Sequence, residues 1–351
     1  MTPSTHSRRL LPEWAPQSGV MLTWPHPHGD WQPWLSQVEP VFANIAFHIA
    51  ERELLLINCY DEKHRRHVET TLAQRGVKMA NLRLVIAPSD DTWARDHGPI
   101  TVEENGRPIL LDFTFNGWGG KYPSELDNTL NRRLAAQGVF DAGALKQIDL
   151  VLEGGSIETD GQGTLLTTEA CLLTSTRNGH LTQAQIEEQL GDALGVHHFL
   201  WLQHGYLAGD DTDSHIDTLV RFCDPDTLCY VSCHEKEDEH YDELTAMENE
   251  LRALRNQQGQ PYRLVPLPMP QPTLSDHGER LPATYANFLI INGAVLVPIY
   301  GDEADSLALA QIARCFPRHE IIAIDCLPLV MQYGSLHCTT MQLPQGILEN
   351  R

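Results

Sequence analysis

The chain has 351 residues and a formal net charge of −22, with 25 Lys and Arg against 47 Asp and Glu. This acidic balance argues against nucleic acid as a partner, and an apolar fraction of 42% excludes a disordered or collagen-like chain. No apolar run reaches the ~20 residues of a membrane-spanning helix, and Glu13 and Pro16 interrupt any export signal, so we expect a cytoplasmic protein without a membrane partner.

Helices and short strands are predicted to alternate along the chain, which indicates an α/β fold. Four amphipathic helices are predicted. One covers 34–49, a second begins at a capping box formed by Thr182 and Gln185, a third covers 244–254, and a fourth covers 309–316, where Pro317 ends the pattern. Branched apolar runs predict strands at 54–57, 82–87, 109–113, 148–152, 199–202, 228–231, 294–299 and 321–324.

Residues 266–272, PLPMPQP, are the one compositionally biased segment. We interpret this segment as a rigid, extended connection on the surface. A proline-rich ligand for an SH3-type domain is the alternative.

The chain also contains a divergent internal repeat. Segments that place a polar residue near glycine at a strand end begin close to Met21, Asp91, Leu152, Asp213 and Tyr333, at intervals of about 60 to 70 residues with one of about twice that length. Residues 285–301 are the candidate for the missing member. This period predicts a closed ring of α/β units around a central site.

Four of these segments carry side chains that can do chemistry. Cys338 follows a glycine-containing turn, and a cysteine thiolate is a strong nucleophile. His215 and Asp217 are two residues apart, so on a strand they would share a face and pair a proton shuttle with a carboxylate. Asp96 lies in a predicted turn, and Glu153 follows a predicted strand. For each residue the alternative is structural: a buried thiol, a core histidine or a solvated acid.

Together, a thiol, an imidazole and three carboxylates suit one kind of substrate. A planar guanidinium donates paired hydrogen bonds to carboxylates, each contributing roughly 1.5 to 3 kcal/mol, while a thiolate attacks its central carbon. The excess negative charge weakly favours such a cationic small molecule.

Metal and nucleotide chemistry fit the sequence less well. Eight cysteines are few for this length and form no C-x-x-C pair, so we expect reduced, buried thiols. Loops at 116–121 and 160–163 lack the phosphate-binding patterns. Candidate metal ligands exist, but their spacings do not match a zinc site; they are His26, His28, His64, His67, Cys229, Cys233 and His234.

A set of motifs, in order, resembles the agmatine deiminase family, within the wider group that includes bacterial peptidyl-arginine deiminases. The similarity extends over nearly the whole chain and is carried by TWPH at Thr23, DTWARDHGPI at Asp91, FNGWGGKYPSELDN at Phe115, LEGGSIETDGQGTLLTTEACLL at Leu152, HID at His215, INGAVLVPIYGD at Ile291 and LHCTTMQLP at Leu336. The resemblance implies a pentein fold: a single domain over 1–351, built as a five-bladed α/β propeller of ββαβ units. It also implies hydrolysis of agmatine to N-carbamoylputrescine and ammonia, in arginine-derived polyamine (putrescine) metabolism, without metal or organic cofactor.

The resemblance also assigns roles, residue by residue. Cys338 corresponds to the nucleophile, which would form a covalent thiouronium intermediate, and His215 to the general acid and base. Asp96 and Asp217 correspond to the carboxylates that hold the guanidinium, and Glu153 to a group that orients the site beside His215. Trp93 and Trp118 are candidates for the walls around the aliphatic chain of the substrate. Packing in the hydrophobic core explains both tryptophans equally well.

Two segments depart from the family pattern. Many agmatine deiminases have Asn-Gly before the site histidine and Gly-Gly-Asn before Ile-His-Cys, whereas this chain has Asp213-Ser214 and Tyr333-Gly334-Ser335. The reacting groups match, so the departures concern recognition of the far amine and indicate a distinct bacterial branch.

Other activities stay open at this point. A free-arginine deiminase needs a cation for the α-carboxylate, for which Arg95 or Arg221 is available, although on a strand Arg95 would point away from Asp96. A peptidyl-arginine deiminase needs an open cleft. A non-catalytic polyamine-binding protein is the remaining alternative, and a homo-oligomer is allowed but not required.

Overall fold

Strands and helices alternate along the chain in the computed structural model, which describes residues 8–140 and 143–348, so the predicted α/β class is confirmed. The strands are β1 Arg8–Leu10, β2 Gln17–Thr23, β3 Leu54–Cys59, β4 Leu82–Ile86, β5 Ile100–Glu104, β6 Arg107–Thr114, β7 Leu145–Val151, β8 Glu158–Thr159, β9 Thr164–Thr168, β10 His198–Leu202, β11 Val220–Asp224, β12 Thr227–Val231, β13 Arg263–Leu267, β14 Leu289–Ile291, β15 Ala294–Ile299, β16 Glu320–Asp325 and β17 Thr340–Pro344.

The longer helices lie between parallel strands, and several single-turn helices lie near strand ends. The helices are α1 Leu35–Ala50, α2 Glu62–Arg75, α3 Ala94–His97, α4 Gly117–Gly120, α5 Leu130–Ala136, α6 Glu169–Leu172, α7 Ser175–Asn178, α8 Gln183–Leu194, α9 Tyr241–Ala253, α10 Asp305–Cys315 and α11 Leu327–Val330. None of the helices in the described ranges is long and apolar enough to cross a bilayer.

The predicted elements are confirmed with small changes at their ends. The four predicted helices are α1, α8, α9 and α10, and each predicted strand overlaps an observed one. Thr182 and Gln185 form the predicted capping box of α8. Helix α10 ends at Cys315, ahead of Pro317, which cannot continue a helix. Helix α2 was missed because its exposed surface is polar and few of its side chains are buried.

One topology recurs in all five sheets that the described residues form. In each unit two antiparallel strands are followed by one or more helices and a strand parallel to the second. The five sets are β5-β6-β7 with β1 on the edge, β8-β9-β10, β11-β12-β13, β14-β15-β16, and β17-β2-β3 with β4. The repeat inferred from the sequence therefore corresponds to a repeated supersecondary unit, except that the segments near Met21 and Tyr333 belong to one unit and not to two, because β17 pairs with β2.

The fifth unit is assembled from both ends of the chain. Strand β17 pairs antiparallel with β2, with Met341 opposite Met21, and β2 pairs parallel with β3. Helix α1 covers this sheet with side chains such as Val38, Phe42 and Ile45, all fully buried. Burying each such side chain stabilises the fold by about 1.5–3 kcal/mol.

The proline-rich segment 266–272 starts inside an edge strand. Pro266 and Leu267 end β13, which is at the edge of its sheet, and the rest of the segment has no regular secondary structure. An edge strand tolerates proline because its outer side makes no ladder hydrogen bonds.

Candidate active site

The turn before the first antiparallel strand of every unit carries a polar side chain of the site. Asp96 lies in α3 before β5, Glu153 precedes β8, and Cys338 precedes β17. His215 and Asp217 lie before β11, and in the fourth unit Asn287 precedes β14. The fold thus repeats one backbone position five times and brings these turns together.

The environment of Gly155 shows how closely three of these side chains approach one another. A Cβ atom built on Gly155 would lie 2.6 Å from Nδ1 of His215, 2.9 Å from Oδ1 of Asp96 and 3.2 Å from Oδ2 of Asp217. Only glycine leaves room for this convergence. The backbone N–H of Gly155 also donates a hydrogen bond to Oδ1 of Asp96 at 3.0 Å.

The Cys338 thiol is buried and contacts two polar partners. Its Sγ donates to Oδ1 of Asn287 at 3.4 Å and lies 4.0 Å from Oδ2 of Asp217. Asn287 Nδ2 donates to the same Asp217 oxygen at 3.3 Å. Sequence reasoning missed Asn287, although it lies within residues 285–301, which the repeat had marked as the missing member.

Asp217 is bound by the residue that precedes the cysteine. Nδ1 of His337 lies 2.7 Å from Oδ2 of Asp217, and Nε2 of His337 lies 2.7 Å from Oε1 of Glu13. The hydrogen bond from His337 and its charge lower the pKa of Asp217 even though burial acts to raise it. Oδ1 of Asp217 is buried and has no hydrogen-bond partner among residues 8–140 and 143–348.

Asp96 is held by the second candidate tryptophan. Nε1–H of Trp118 donates to Oδ2 of Asp96 at 2.9 Å. Burial raises the pKa of Asp96 well above its ordinary range, and the nearby carboxylates of Asp217 and Glu153 add to that effect. A bound cation would relieve both the desolvation and the repulsion.

The sequence pattern predicted that His215 and Asp217 lie on a strand, and this prediction is wrong. Residues Ile216–Thr218 form a 3-10 turn, with His215 as its N-terminal capping position. The reason is that the unit needs a turn here before β11 begins at Val220. Both side chains still reach the site, because the turn, rather than strand alternation, directs them there.

The ring of His215 is buried and has one free nitrogen. Nδ1 lies 3.7 Å from Oδ1 of Asp96, while Nε2 has no hydrogen-bond partner in the part of the chain that the structure describes. Burial lowers the pKa of His215 to about 3, with Arg177 adding to the effect and Asp217 opposing it. The imidazole is therefore neutral near pH 7 in the unliganded protein.

Glu153 lies beside His215, as expected, but it is already paired. Its carboxylate accepts hydrogen bonds from Nε of Arg177 at 2.8 and 3.0 Å, and both side chains are fully buried. Arg177 also binds Oδ2 of Asp213 at 2.7 Å. Sequence reasoning did not single out Arg177, which lies far from Glu153 in the sequence.

Burial and the carboxylates of Asp217 and Asp96 raise the pKa of Cys338 well above its ordinary value. Without a ligand, the resting site therefore holds a neutral thiol beside a neutral imidazole. A positive charge placed between the two carboxylates would favour the thiolate.

The cavity above these groups is lined by carboxylates and aromatic rings. It is open to solvent on one side and reaches Cys338 and His215, which are both buried. Trp93 and Trp118 both line it, and the described lining contains no Arg or Lys. Its acidic side chains are Asp30, Asp91, Asp96, Asp210 and Asp211.

Gly334 lets its loop lie against Trp93. A Cβ atom on Gly334 would lie 2.2 Å from a ring carbon of Trp93, so a larger residue would displace the indole. Glycine is retained at this point, although the segment differs from the family pattern.

The two departures from the family motifs have left-handed backbone conformations. Asp213, Ser214 and Tyr333 have φ values of 67°, 63° and 65°, a region that residues other than glycine rarely adopt. Arg177 and Lys121 bind the Asp213 carboxylate, at 2.7 and 2.9 Å, and hold this turn in place.

Neither arginine proposed for a substrate carboxylate reaches the cavity. Arg95 lies in the helix α3 rather than on a strand, so the strand argument was wrong, yet the side chain still points away and binds Glu13 and Gln342. Arg221 is fully buried and pairs with Glu13 and Glu158.

Three of the histidines considered as metal ligands, His26, His64 and His67, use a ring nitrogen in other contacts. Nε2 of His26 bonds to the carbonyl of Ser89, and Nε2 of His64 to that of Pro25. Cys229 does not meet Cys233, whose thiol contacts the Glu235 carbonyl. Glu153, Cys171 and His215 do lie within 4.8 Å of one another, but Arg177 occupies the Glu153 carboxylate with its positive charge.

Known proteins are similar to this chain over nearly its whole length. A family model described as Porphyromonas-type peptidyl-arginine deiminase matches residues 9–344. A solved structure of a candidate arginine deiminase from Porphyromonas gingivalis is 52% identical, covers 97% of this chain and 100% of its own, and has a TM-score of 0.90.

Two agmatine deiminases are also similar. A structure from C. jejuni, a cysteine-to-serine variant with substrate bound, is 36% identical over 99% of both chains, with a TM-score of 0.90. The curated agmatine deiminase of Pseudomonas aeruginosa is 31% identical, over 98% of this chain and 97% of its own. The family resemblance inferred from the motifs is thereby confirmed.

Proposed function

Because the chain belongs to the Porphyromonas-type peptidyl-arginine deiminase family, we propose that it is a hydrolase that converts agmatine into N-carbamoylputrescine and ammonia. The observation that carries this proposal is a cavity that reaches the Cys338 thiol, the His215 imidazole and the Asp96 carboxylate and has no Arg or Lys in its described lining, with the Asp217 carboxylate packed behind it against the same Gly155. The relatives named as agmatine deiminases support the same substrate.

The guanidinium of the substrate binds between Asp96 and Asp217. Oδ1 of Asp217 has no partner within the described residues, while its Oδ2 is bound by His337. Both oxygens of Asp96 accept a protein hydrogen bond, from Gly155 and from Trp118, and each keeps a second lone pair for the guanidinium. Two anions on opposite sides of a planar cation fix its orientation over Cys338.

Substrate binding activates the nucleophile. The positive charge of the guanidinium offsets the repulsion that Asp217 and Asp96 exert on a thiolate, so the pKa of Cys338 falls when the cation binds. Neutral His215 then accepts the thiol proton, and the thiolate attacks the guanidinium carbon to give a tetrahedral adduct.

The proton taken by His215 leaves with ammonia. As imidazolium, His215 protonates the departing nitrogen, and a thiouronium remains on Cys338. His215 then removes a proton from water, which attacks the same carbon. Collapse of this second adduct breaks the C–S bond, returns the thiol and releases the ureido product.

Glu153 positions this machinery. Its ion pair with Arg177 sits beside His215 and ties the His215 turn to the Asp213 carboxylate. Trp93 and Trp118 line the cavity where the aliphatic chain of agmatine would extend. Burial of the four-carbon chain against indole surface contributes about 0.8 kcal/mol per CH₂.

The charge of the cavity favours agmatine over free arginine. Agmatine carries an ammonium at its far end, whereas arginine adds a carboxylate there. Asp30, Asp91, Asp210 and Asp211 would attract the ammonium and repel the carboxylate.

Deimination of free or peptidyl arginine is the second candidate. The observation that favours it is the 52% identity to the Porphyromonas gingivalis structure named as a candidate arginine deiminase, together with the description of the family. The chemistry on Cys338 would be the same, and only the group at the cavity mouth would differ.

The test is formation of ureido product by purified protein with agmatine, with free arginine, and with a peptide that contains internal arginine. We expect turnover of agmatine alone. Turnover only of arginine or of the peptide would keep the thiol chemistry and transfer the protein to the second candidate. No turnover of any of the three, with tight agmatine binding, would make it a polyamine-binding protein.

We also propose that residues 1–351 form one domain in which the five sheets are arranged as a five-bladed propeller around the site. The repeated unit and the pairing of β17 with β2 support this arrangement. The eight free cysteines support a reducing compartment such as the cytoplasm.

A further inference from the structure

Three cysteines meet in the core away from the turns that carry the proposed catalytic residues. Cys223 occupies a register shift in β11, Cys229 lies in the neighbouring strand β12, and Cys315 is the last residue of α10. They come from two different units of the repeat, so sequence spacing gives no sign of the cluster.

The three sulfur atoms are close but not bonded. Sγ of Cys229 lies 3.0 Å from Sγ of Cys223 and 3.4 Å from Sγ of Cys315. All three thiols are free and buried, and the three sulfurs lie within 4.8 Å of one another. Two sulfurs that each bind an ion at about 2.3 Å can be up to about 4.6 Å apart, so one ion can contact neighbouring thiols of this cluster.

The donor set is restricted to sulfur. No His, Asp or Glu ligand atom in the described parts of the chain joins the group within that distance. Thiolates select soft ions, and hard oxygen-seeking cations such as Mg²⁺ and Ca²⁺ are disfavoured. Because the cluster offers three ligands and lies in an apolar core, the bound ion must accept a low coordination number.

We propose that Cys223, Cys229 and Cys315 form a binding site for one soft, thiophilic metal ion, with Cu(I) as the ion of matching coordination. Each thiol that binds loses its proton to solvent as its sulfur–metal bond forms, and no electron is transferred. The ion would join β11 and β12 to the end of α10, and so would link the third unit to the fourth.

The experiment uses the full chain with Cys338→Ala in every sample, so that the proposed nucleophile cannot bind the metal. Cu(I) is titrated without oxygen against a chromophoric chelator, and metal content and thermal unfolding are measured. We expect one Cu(I) per chain, a sulfur-to-copper absorption band in the near ultraviolet and a higher Tm with metal.

Single substitutions then locate the site. Cys229→Ala and Cys315→Ala should each weaken binding by roughly 10-fold or more and remove the rise in Tm. Cys59→Ala is the matched control, since Cys59 is a buried thiol in an apolar core outside the cluster, and it should bind as the parent does. Circular dichroism without metal establishes whether each variant is folded. If Cys229→Ala does not fold, Cys315→Ala, which changes a residue at a helix end, is used in its place.

Two results would overturn the proposal. One is Cu(I) binding that is absent, or equal in the parent and in both folded cluster variants. The other is a disulfide between Cys223 and Cys229 in protein purified under reducing conditions, detected as a 2 Da mass loss in the peptide pair, which would make the cluster a redox pair instead.

Discussion

The imidazole of His337 lies 2.7 Å from the carboxylate of Asp217, so the residue that precedes the proposed nucleophile orients a proposed substrate-binding acid. Because the Asp217 pKa is lowered, its carboxylate is ionised and can only accept, which makes Nδ1 of His337 the donor. One short segment thus supplies both a reacting group and the support for its neighbour.

This relationship predicts a difference between two His337 variants. His337→Ala removes the donor, leaves Asp217 short of a charge-assisted hydrogen bond, and should raise KM for agmatine by roughly 10- to 100-fold, the equivalent of 1.5–3 kcal/mol. His337→Asn places a donor near the position of Nδ1 and should recover much of that loss. Steady-state kinetics of folded variants test this, and equal KM values for the two would exclude a positioning role.

Substitution of Cys338 and of His215 is predicted to reduce turnover to different extents. Cys338→Ala should abolish turnover while agmatine still binds, since the two carboxylates remain. His215→Ala should lose roughly 10²- to 10⁴-fold in kcat, the usual contribution of acid–base catalysis. Ureido-product assays and calorimetric binding measure both, and near-normal turnover by Cys338→Ala would refute the assignment.

The far end of the substrate is predicted to depend on charge at the cavity mouth. Asp211→Asn keeps the shape and the acceptor for the Tyr122 hydroxyl, which donates at 2.8 Å, but removes the negative charge. We expect KM for agmatine to rise a few-fold at low salt, with kcat unchanged, because exposed ion pairs contribute about 0.2–1 kcal/mol. Asp192→Asn, an exposed change outside the cavity, is the control. A KM that stays constant at low salt would contradict the prediction.

The pH dependence should reveal the raised pKa of Asp96. In the free enzyme the guanidinium requires the ionised carboxylate, which exists above its pKa, so kcat/KM should fall on acidification at a pH above the ordinary aspartate value near 4. Bound substrate lowers this pKa, since it adds positive charge, so the acid limb of kcat should lie at lower pH than that of kcat/KM. Coincident limbs would show that Asp96 does not titrate in this way.

Glu53 gives a test of stability that is separate from the site. Burial raises the pKa of this carboxyl to about 7, and one of its oxygens has no hydrogen-bond partner among the described residues. Between about pH 4.5 and 7 the unfolded chain loses the proton while the folded chain keeps it, so folding stability falls as pH rises, by at most about 1.4 kcal/mol per pH unit. Glu53→Gln cannot ionise, so its Tm relative to the parent should increase over this window and level off above it. A pH-independent Tm difference would disprove the shift.

Much of the architecture could be read from local patterns. The period of apolar residues in α1, α8, α9 and α10, and the branched runs of the strands, report which faces are buried, and burial is what selects these elements. The polar residue near glycine that recurs along the chain also identified the turns that carry Asp96, Glu153, His215 and Cys338.

What the sequence alone determined, then, was the alternation of helices and strands, the repeat, and the residue types that could react with a guanidinium. The tertiary structure decided which partners those residues have. Asn287 reaches Cys338, Arg177 neutralises Glu153, and Cys315 joins two cysteines of another unit only because separate repeats meet in space. Local spacing reports the conformation of a segment, whereas the pKa and the contacts of a buried group depend on side chains that fold onto it from far along the chain.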